Sequence, residues 1–190
     1  MGVLDGWLWC PRCRGPLALV VQGRVACEAC GFVAWANPAP TACALCEDGE
    51  GRLLLARRAH EPFLGYWDIP GGFLHEDEHP LDALRRELLE ETGLEIEPGA
   101  FLGAWIDRYG DAPGSQFTLN LYWCARVVRG DERPADDVSE LRWFAREELP
   151  ARDQLAFANV PLVLDAWLAL QELEMDPGCN VRPAPPSSPQ

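Results

Sequence analysis

Apolar and polar residues change their spacing along the chain, and these changes mark where strands give way to helices. Short apolar runs bounded by glycine, proline and acidic residues predict strands. The first two strands form a pair, because residues 47–51 between them combine two glycines with acidic residues, as turns do. The predicted strands cover residues 41–46, 53–58, 66–69, 101–108, 117–128 and 140–144.

Helical spacing governs two other segments. Three leucines at positions i, i+3 and i+7 form one apolar stripe and predict a helix over residues 80–92. Pro80 suits the first position of this helix, and Gly93 suits its end. A second helix is predicted over residues 160–174. Strands, helix, strands and helix in this order predict an α/β fold in which helices cover a mixed sheet.

The two ends of the chain lack this periodicity. The N-terminal stretch carries four cysteines among scattered aromatic residues, and the last stretch contains five prolines with serine and glycine. Between the first stretch and the first strand lies Asn-Pro-Ala-Pro, which predicts an extended linker because proline disfavours helix in itself and in the residue before it. The sequence therefore predicts a small N-terminal lobe, a linker, a main domain and a disordered proline-rich tail, at residues 1–36, 37–40, 41–175 and 176–190.

The charge balance excludes several functions. The chain has 30 acidic and 16 basic residues, a net charge of −14, so no basic face is available to wrap a nucleic acid. All the basic residues are arginine, which excludes lysine chemistry. No apolar run approaches the roughly 20 residues that span a bilayer, and the N-terminus does not resemble a signal peptide. We therefore expect a cytoplasmic protein without nucleic-acid or membrane partners.

The spacing of the first four cysteines predicts a metal site. Cys10-x2-Cys13 and Cys27-x2-Cys30 form two pairs separated by 13 residues, which is typical of a zinc ribbon. A lobe of 36 residues is too small to build a core of its own, so metal would stabilise it. Four thiolates leave no open position on zinc, which indicates a structural ion. The alternative is four unrelated buried cysteines.

The other cysteines do not repeat this pattern in a usable geometry. Cys43 and Cys46 lie in a predicted strand, where residues three apart point to opposite faces and lie about 10 Å apart. We therefore predict that these two, and Cys124, pack in the strands rather than share a metal ion. Cys179 lies in the proline-rich tail and is predicted to be a free thiol.

The predicted helix over residues 80–92 concentrates negative charge. Glu87, Glu90 and Glu91 stand at i, i+3 and i+4, so they share one face, and Arg86 is placed to orient a carboxylate. Such crowding is unfavourable unless a cation offsets it, and Mg²⁺ prefers oxygen ligands of this kind. The alternative reading of the same residues is a solvated acidic surface.

A wider pattern resolves this ambiguity. The chain contains G-x5-E-x7-R-E-U-x-E-E-x-G-U, where U is aliphatic, and this motif resembles the signature of the Nudix hydrolase family. All nine specified positions are met within 23 residues, namely Gly72, Glu78, Arg86, Glu87, Leu88, Glu90, Glu91, Gly93 and Leu94. The resemblance implies an α/β/α sandwich in which the signature forms a loop–helix–loop metal site, here preceded by the zinc ribbon.

By this resemblance, Glu87, Glu90 and Glu91 bind Mg²⁺ or Mn²⁺, and Arg86 and Glu78 support the site. The sequence leaves open whether Glu91 or Glu87 also acts as the general base. The metal ions would supply the positive charge that a polyanionic substrate requires.

Further residues are candidates for binding substrate or metal. Gly72 would let the backbone pass close to both. Arg57 and Arg58 leave the second predicted strand near the expected site, where they bind phosphate or remain surface charges. An additional carboxylate often comes from outside the signature in this family, and the candidates are Asp136, Asp137 and Glu140.

The substrate is less well defined than the reaction. A zinc ribbon before a Nudix domain resembles the NADH pyrophosphatase branch, but residues 103–109 differ from the Ser-Gln-Pro-Trp-type motif of that branch. Tyr109 lies near the sequence position at which relatives that act on dinucleoside polyphosphates carry a tyrosine. Trp67, Trp105 and Phe73 either stack on a base or belong to the core.

The sequence thus predicts a hydrolase that cuts the diphosphate bond of a nucleoside-diphosphate-linked small molecule of the ADP-ribose, NADH or FAD type. The products would be a nucleoside monophosphate and a second phosphorylated compound. The alternative is a catalytically weak Nudix-fold sensor that binds a nucleotide and regulates a partner. A homodimer is compatible with either function.

Overall fold

The computed structural model describes residues 2–18, 23–110 and 115–175, with the backbone alone for residues 171–175. The predicted tail at residues 176–190 and Cys179 lie outside this range. The strands in chain order are β1 (Arg24–Ala26), β2 (Val33–Trp35), β3 (Ala39–Glu47), β4 (Leu53–Arg58), β5 (Trp67–Asp68), β6 (Gly71–Phe73), β7 (Leu94–Arg108), β8 (Phe117–Gly130) and β9 (Val138–Phe144). The helices are α1 (Pro80–Thr92) and α2 (Val160–Met175).

Seven strands form one mixed sheet around β3. The main path runs β5-β4-β3-β8-β7, while β6 pairs with β3 and β9 pairs with β4. The central pair, β3 and β8, is parallel over the full length of β3, and the neighbouring pairs are antiparallel. Because β3 and β4 pair only where Glu47 meets Leu53, they diverge from their turn, and β6 pairs with β3 at the opposite end.

Alternation along β3 builds two separate cores. Ala42, Ala44 and Cys46 pack with the apolar stripe of α1 on one face. Cys43 and Leu45 point the other way and pack with α2, which buries Trp167 completely. The predicted α/β/α sandwich is therefore confirmed, and so is the prediction that the two cysteines of β3 face opposite sides.

The helix α1 has the predicted bounds, and its ends explain them. The Nδ1 atom of His79 accepts a hydrogen bond from the Leu81 amide at 3.3 Å, so a histidine caps the N-terminus just before Pro80. Gly93 adopts a left-handed backbone with φ of 73° and donates to the Leu89 carbonyl, which ends the helix. Leu84 and Leu88 are fully buried against the sheet.

Three segments differ from the sequence prediction. The residues expected to be a linker already include the start of β3 at Ala39, because pairing with β8 begins there. The resemblance implies a loop before the helix of the signature, yet Gly71–Phe73 at the start of that segment forms β6 and pairs with β3. Strand β7 also begins earlier than predicted, at Leu94, and three register shifts interrupt its pairing with β8.

The N-terminal lobe is built around its cysteines. β1 and β2 form an antiparallel hairpin, and Cys10 and Cys27 are almost fully buried together with Val25 and Leu4. Several of its aromatic side chains remain exposed, in agreement with the small core expected for this length. In the part of the chain that is described, no helix is long and apolar enough to cross a membrane.

Candidate active site

A cleft of about 300 Å³ opens between the end of α1 and the sheet face that packs against α2. Its lining combines acidic residues with aromatic and neutral polar ones. The residues that line it are Thr41, Cys43, Arg58, Asp68, Ile69, Gly71, Gly72, Phe73, His75, Glu87, Glu91, Tyr109, Thr118, Asn120, Tyr122, Asp136, Asp137, Phe157 and Asn159.

Arg86 organises the carboxylates of the signature. Its guanidinium donates to both carboxylate oxygens of Glu78, each at 2.7 Å, and to the Phe73 carbonyl at 3.1 Å. It also donates to Glu87 at 2.7 Å and to Glu90 at 3.2 Å. Hydrogen bonds from Arg86, with one from the His75 amide, lower the pKa of Glu78 to about 2. Arg86 therefore fixes the loop before α1 to the acidic face of the helix.

Glu91 is the most deeply placed carboxylate of the cleft. Its side chain is buried, and the Gly71 amide donates to it at 2.9 Å. Burial, followed by repulsion from Asp137, raises the pKa of Glu91 well above its ordinary value. A carboxylate in these surroundings requires either a proton or a cation.

Glu87 lies against the glycine that opens the signature. A Cβ atom added at Gly72 would meet the Glu87 carboxylate carbon at 2.5 Å, so only glycine allows this approach. Burial raises the pKa of Glu87 despite its hydrogen bond to Arg86, and the charges of Glu90 and Asp137 raise it further. Two carboxylates with raised pKa values therefore face the same space.

The other predicted carboxylates separate into two groups. Asp136 and Asp137 line the cleft, whereas Glu140 forms an ion pair with Arg57 at 3.1 Å outside it. Glu90 is half exposed and contacts Arg86 at the rim, and it does not line the cleft.

The two neighbouring arginines of β4 also separate. Arg57 points away from the cleft toward Glu140 and lies over Trp67, whereas Arg58 lines the cleft. Arg58 donates to the Pro62 carbonyl at 2.7 Å and contacts Asp68 at 3.4 Å. Burial raises the pKa of Asp68 to about 6, although Arg58 opposes this shift. Among the described residues, Arg58 is the one arginine that lines the cleft.

Three aromatic rings form one wall. Phe73 contacts Tyr109 edge-on with 5.4 Å between centroids, and Tyr109 stacks on Phe157 at 5.6 Å. Trp67 and Trp105, the other candidates for stacking on a base, do not line the cleft and pack on Phe144 and Tyr122. Phe157 was not found by sequence reasoning, because it lies in an irregular segment before α2 and carries no motif.

A neutral polar floor completes the cleft, and sequence reasoning missed it as well. Thr41 comes from β3, Thr118, Asn120 and Tyr122 come from β8, and Asn159 precedes α2. All five are buried. The available signal was the alternation of β8, where polar residues recur at every second position on the face that packs against α2.

The four cysteines of the N-terminal lobe converge. Their Sγ atoms all lie within 4.8 Å of one another, with Cys10 and Cys30 at 3.6 Å and Cys13 and Cys27 at 3.5 Å. In the described part of the chain, no other group of three or more such ligands is as compact. The expected cluster is thus present, and the α1 carboxylates are more widely spaced.

The electrostatics of the sulfur cluster call for a cation. Burial raises the pKa of Cys10, but hydrogen bonds from the Cys13 and Arg12 amides outweigh it and lower this pKa to about 7. The Gly15 amide lowers the pKa of Cys13, but the sulfurs of Cys30 and Cys27 outweigh it and raise this pKa to about 12. Four sulfurs at this distance cannot all be thiolates unless a metal ion neutralises them.

Comparison with known proteins agrees with the fold and the motif. A family model described as the NUDIX domain matches residues 37–173. The chain is similar in structure to a NUDIX hydrolase from Nitrosomonas europaea, with a TM-score of 0.72 and 23% identity over 86% of this chain and 92% of that one.

Two curated relatives are similar in sequence. The ADP-ribose pyrophosphatase of Methanocaldococcus jannaschii is 30% identical over 116 residues, which cover 61% of this chain and 66% of the relative. The CTP pyrophosphohydrolase of Escherichia coli is 32% identical over 123 residues, which cover 64% of this chain and 86% of the relative. The first alignment thus spans slightly less than two thirds of that relative's length. Since the NUDIX model matches most of the chain and the signature is complete, this chain belongs to the Nudix family.

Proposed function

We propose that the chain is a divalent-metal-dependent hydrolase that cleaves the diphosphate bond of a nucleoside-diphosphate-linked small molecule. The observation that carries this proposal is the convergence of Glu87, Glu91 and Asp137 in a cleft that is also lined by aromatic and neutral polar residues. The carboxylates suit metal ions that bind phosphates, and the aromatic and neutral polar residues suit a nucleoside.

The carboxylates that line the cleft are suitable ligands for Mg²⁺ or Mn²⁺. Carboxylate oxygens are the ligands these hard cations prefer, and the raised pKa values of Glu87 and Glu91 reflect charge that a cation would neutralise. Glu87, Glu91 and Asp137 would hold the ions, with Glu90 joining from the rim. When bound, the ions neutralise charge on the phosphoryl oxygens and make water more acidic.

Residues of the chain also orient the candidate general base and contact the substrate. The Gly71 amide fixes Glu91, and Arg86 fixes Glu87, so either carboxylate is oriented to accept a proton from attacking water. Of the two candidate arginines, only Arg58 is kept as the proposed phosphate or ribose contact, because it lines the cleft and Arg57 does not. Of the three candidate rings, only Phe73 is kept beside the substrate, for the same reason.

The N-terminal lobe is proposed to hold structural zinc. Four cysteine sulfurs match the tetrahedral ligand set of structural zinc sites, and they leave no position for water. The cluster therefore stabilises the lobe rather than taking part in hydrolysis.

The relatives narrow the substrate class. One is named for ADP-ribose and another for CTP, so both names specify a nucleotide with a phosphoric anhydride bond. The first name supports ADP-ribose as a substrate, and we propose NADH and FAD beside it because they share its diphosphate-linked adenosine; each would yield a nucleoside monophosphate and a second phosphorylated product.

The test is a substrate panel with the full-length protein. ADP-ribose, NADH, FAD and nucleoside triphosphates are incubated with Mg²⁺ or Mn²⁺, and the products are separated by chromatography. We expect metal-dependent release of a nucleoside monophosphate from at least one diphosphate-linked compound. Tight binding of one compound without turnover of any would contradict hydrolysis and favour the nucleotide sensor.

A further inference from the structure

The polar floor of the cleft contains a chain of hydrogen bonds that runs in one direction. The Thr41 hydroxyl donates to Asn120 Oδ1 at 2.8 Å, and Asn120 Nδ2 donates to Thr118 Oγ1 at 2.9 Å. Asn120 Nδ2 also donates to the Trp105 carbonyl at 3.3 Å, and the Thr118 hydroxyl donates to the Asp107 carbonyl at 3.4 Å. Because a backbone carbonyl only accepts, the bond to Trp105 fixes which end of the Asn120 amide faces which neighbour.

These bonds use every donor hydrogen of the three side chains. Thr41 and Thr118 have one hydroxyl hydrogen each, and the Asn120 amide has two hydrogens, and all four are directed to protein acceptors. The hydrogen-bonding capacity that remains on these side chains consists of lone pairs on Thr41 Oγ1, Asn120 Oδ1 and Thr118 Oγ1. The Cys43 thiol lies 3.9 Å from Thr41 Oγ1, a weak contact. Such a surface accepts hydrogen bonds and offers none.

The patch is buried, which makes its polarity selective. Thr41 is 6% exposed and Asn120 is 9% exposed, yet both line the cleft. A ligand that places a donor here satisfies the lone pairs, whereas one that places a carbonyl oxygen here brings two acceptors together away from water. Tyr122 keeps its own hydroxyl hydrogen, so the acceptor-only patch is confined to Thr41, Thr118 and Asn120.

The neighbouring rings indicate which kind of donor is involved. Phe73, Tyr109 and Phe157 line the same cleft and offer aromatic faces or edges to a planar group. A nucleobase is planar, and adenine and cytosine carry an amino group that donates. Uracil and hypoxanthine carry a carbonyl oxygen at the equivalent position.

We propose that the Thr41–Asn120 pair recognises the amino group of a nucleobase and makes the cleft selective for amino-bearing bases over their oxo counterparts. This inference rests on the proposed function, since it assumes that the cleft binds nucleotides. It assigns the base specificity to two side chains on β3 and β8, away from the carboxylates of α1.

The test uses nucleoside monophosphates, which contain no diphosphate bond, so that binding is measured without turnover. Affinities for AMP and IMP, and for CMP and UMP, are measured by calorimetry on the full-length protein with Mg²⁺. Each pair differs at the amino or oxo group. We expect the amino member of at least one pair to bind about tenfold more tightly, the scale of one hydrogen bond gained and one clash avoided.

Variants of the protein test whether the patch causes the preference for amino-bearing bases. Thr41→Val keeps the shape of the side chain and removes the hydroxyl, and should reduce the preference to about threefold or less. Thr41→Ser restores the hydroxyl and should restore the preference. Ser139→Ala removes a hydroxyl that donates to the Arg57 carbonyl outside the cleft, and it should leave the ratio unchanged. Melting temperatures show whether each variant is folded.

Three results would overturn the inference: equal affinities within both pairs, an equal loss of preference in Ser139→Ala, or ribose 5-phosphate binding as tightly as AMP. The last result would show that the patch engages a sugar hydroxyl. The first is informative even if Thr41→Val fails to fold, because it needs only the parent protein. Failure of the proposed function is seen separately, as absence of hydrolysis in a protein whose AMP and IMP affinities still differ.

Discussion

The N-terminal lobe and the cleft bring potential metal ligands together in opposite ways. In the lobe, four sulfurs lie within 4.8 Å of one another and nothing separates them. Beside the cleft, an arginine lies among the carboxylates of the signature, since Arg86 contacts Glu78, Glu87 and Glu90. The first arrangement leaves space for one enclosed ion, whereas the second is part of a cleft with room for further molecules.

The difference follows from what each region must do. We expect a lobe with so small a core to gain stability from a bound ion, and its four candidate ligands converge accordingly. A catalytic centre must leave positions for substrate, so its carboxylates are anchored by protein donors and only partly paired. The Gly71 amide and Arg86 supply these anchors. Removing a ligand should therefore change stability in the lobe and turnover in the cleft.

The largest effect is expected in the cleft. Glu91→Gln keeps the size of the side chain and removes its charge, so the variant should lose at least about 100-fold in turnover of the best substrate of the panel. Its thermal stability should be equal or higher, because a buried carboxylate with a raised pKa is no longer ionised. Turnover and melting temperature are measured on the same preparation.

Glu97→Gln is the matched control, because Glu97 is exposed on β7, follows the signature and does not line the cleft. It should keep the parent turnover within twofold. Turnover of Glu91→Gln within twofold of the parent would show that Glu91 is not essential and would remove the distinction drawn between the two regions.

The next effect concerns the lobe. Cys10→Ser removes one of four sulfurs, and we expect zinc affinity to fall at least about tenfold, with loss of bound zinc on dialysis. Zinc content by elemental analysis and proteolysis of the N-terminal residues report the change. Turnover per folded molecule should fall less than it does in Glu91→Gln.

Cys124→Ser serves as the control, since Cys124 packs at the edge of the core near α2. Its zinc content should equal that of the parent. Unchanged zinc content in Cys10→Ser would contradict the assignment of the four-cysteine site.

The sequence predicted these two regions unequally well because local and long-range interactions differ. The α1 bounds, the order of the carboxylates and the two cysteine pairs are local, and spacing along the chain determines them. The floor of the cleft is not local: Thr41 meets Asn120 across 79 residues through parallel pairing of β3 with β8. No sequence pattern within either strand predicts the contact between Thr41 and Asn120.

The direction in which side chains point is a second feature of the site that the sequence alone does not predict. Arg57 and Arg58 are adjacent on β4, and because strand residues alternate, only one of them faces the cleft. Which one does so depends on pairing with β9, where a register shift falls between these two residues. The same limit applies to Trp105, whose ring packs on Tyr122 inside the core rather than beside the substrate.

A smaller effect is expected from the glycine that accommodates Glu87. In Gly72→Ala the new Cβ would meet Glu87 Oε2 at 2.5 Å, so the carboxylate must move. We expect turnover to fall about tenfold, because a displaced ligand weakens the site without removing it.

Gly49→Ala is the control for this change, since a Cβ at Gly49 meets nothing within 4 Å. It should leave turnover unchanged. Full activity in Gly72→Ala would show that turnover does not depend on the present position of Glu87. It would contradict the proposal that Arg86 supports turnover by holding Glu87 in place.

The smallest effect concerns an acid of the cleft that is paired with protein rather than assigned to metal. Burial raises the pKa of Asp68 to about 6 from an ordinary value of 3.8, so the folded protein binds a proton between these values more readily than the unfolded chain does. The stabilisation from this proton is complete below about pH 4 and is lost as the pH rises through about 6. Asp68→Asn mimics the protonated form at every pH.

Asp68→Asn should therefore be more stable than the parent at pH 8, and the gain should shrink toward zero as the pH approaches 4. The shift corresponds to at most about 3 kcal/mol, and this upper bound already includes the ion pair with Arg58, which lowers the pKa of Asp68. Urea unfolding at pH 5 and pH 8 measures it, with Asp82→Asn, an exposed acid beside Arg85, as the control. If the gain in stability is the same at both pH values, Asp68 does not titrate in this range. Other groups would then cause any pH dependence of the cleft.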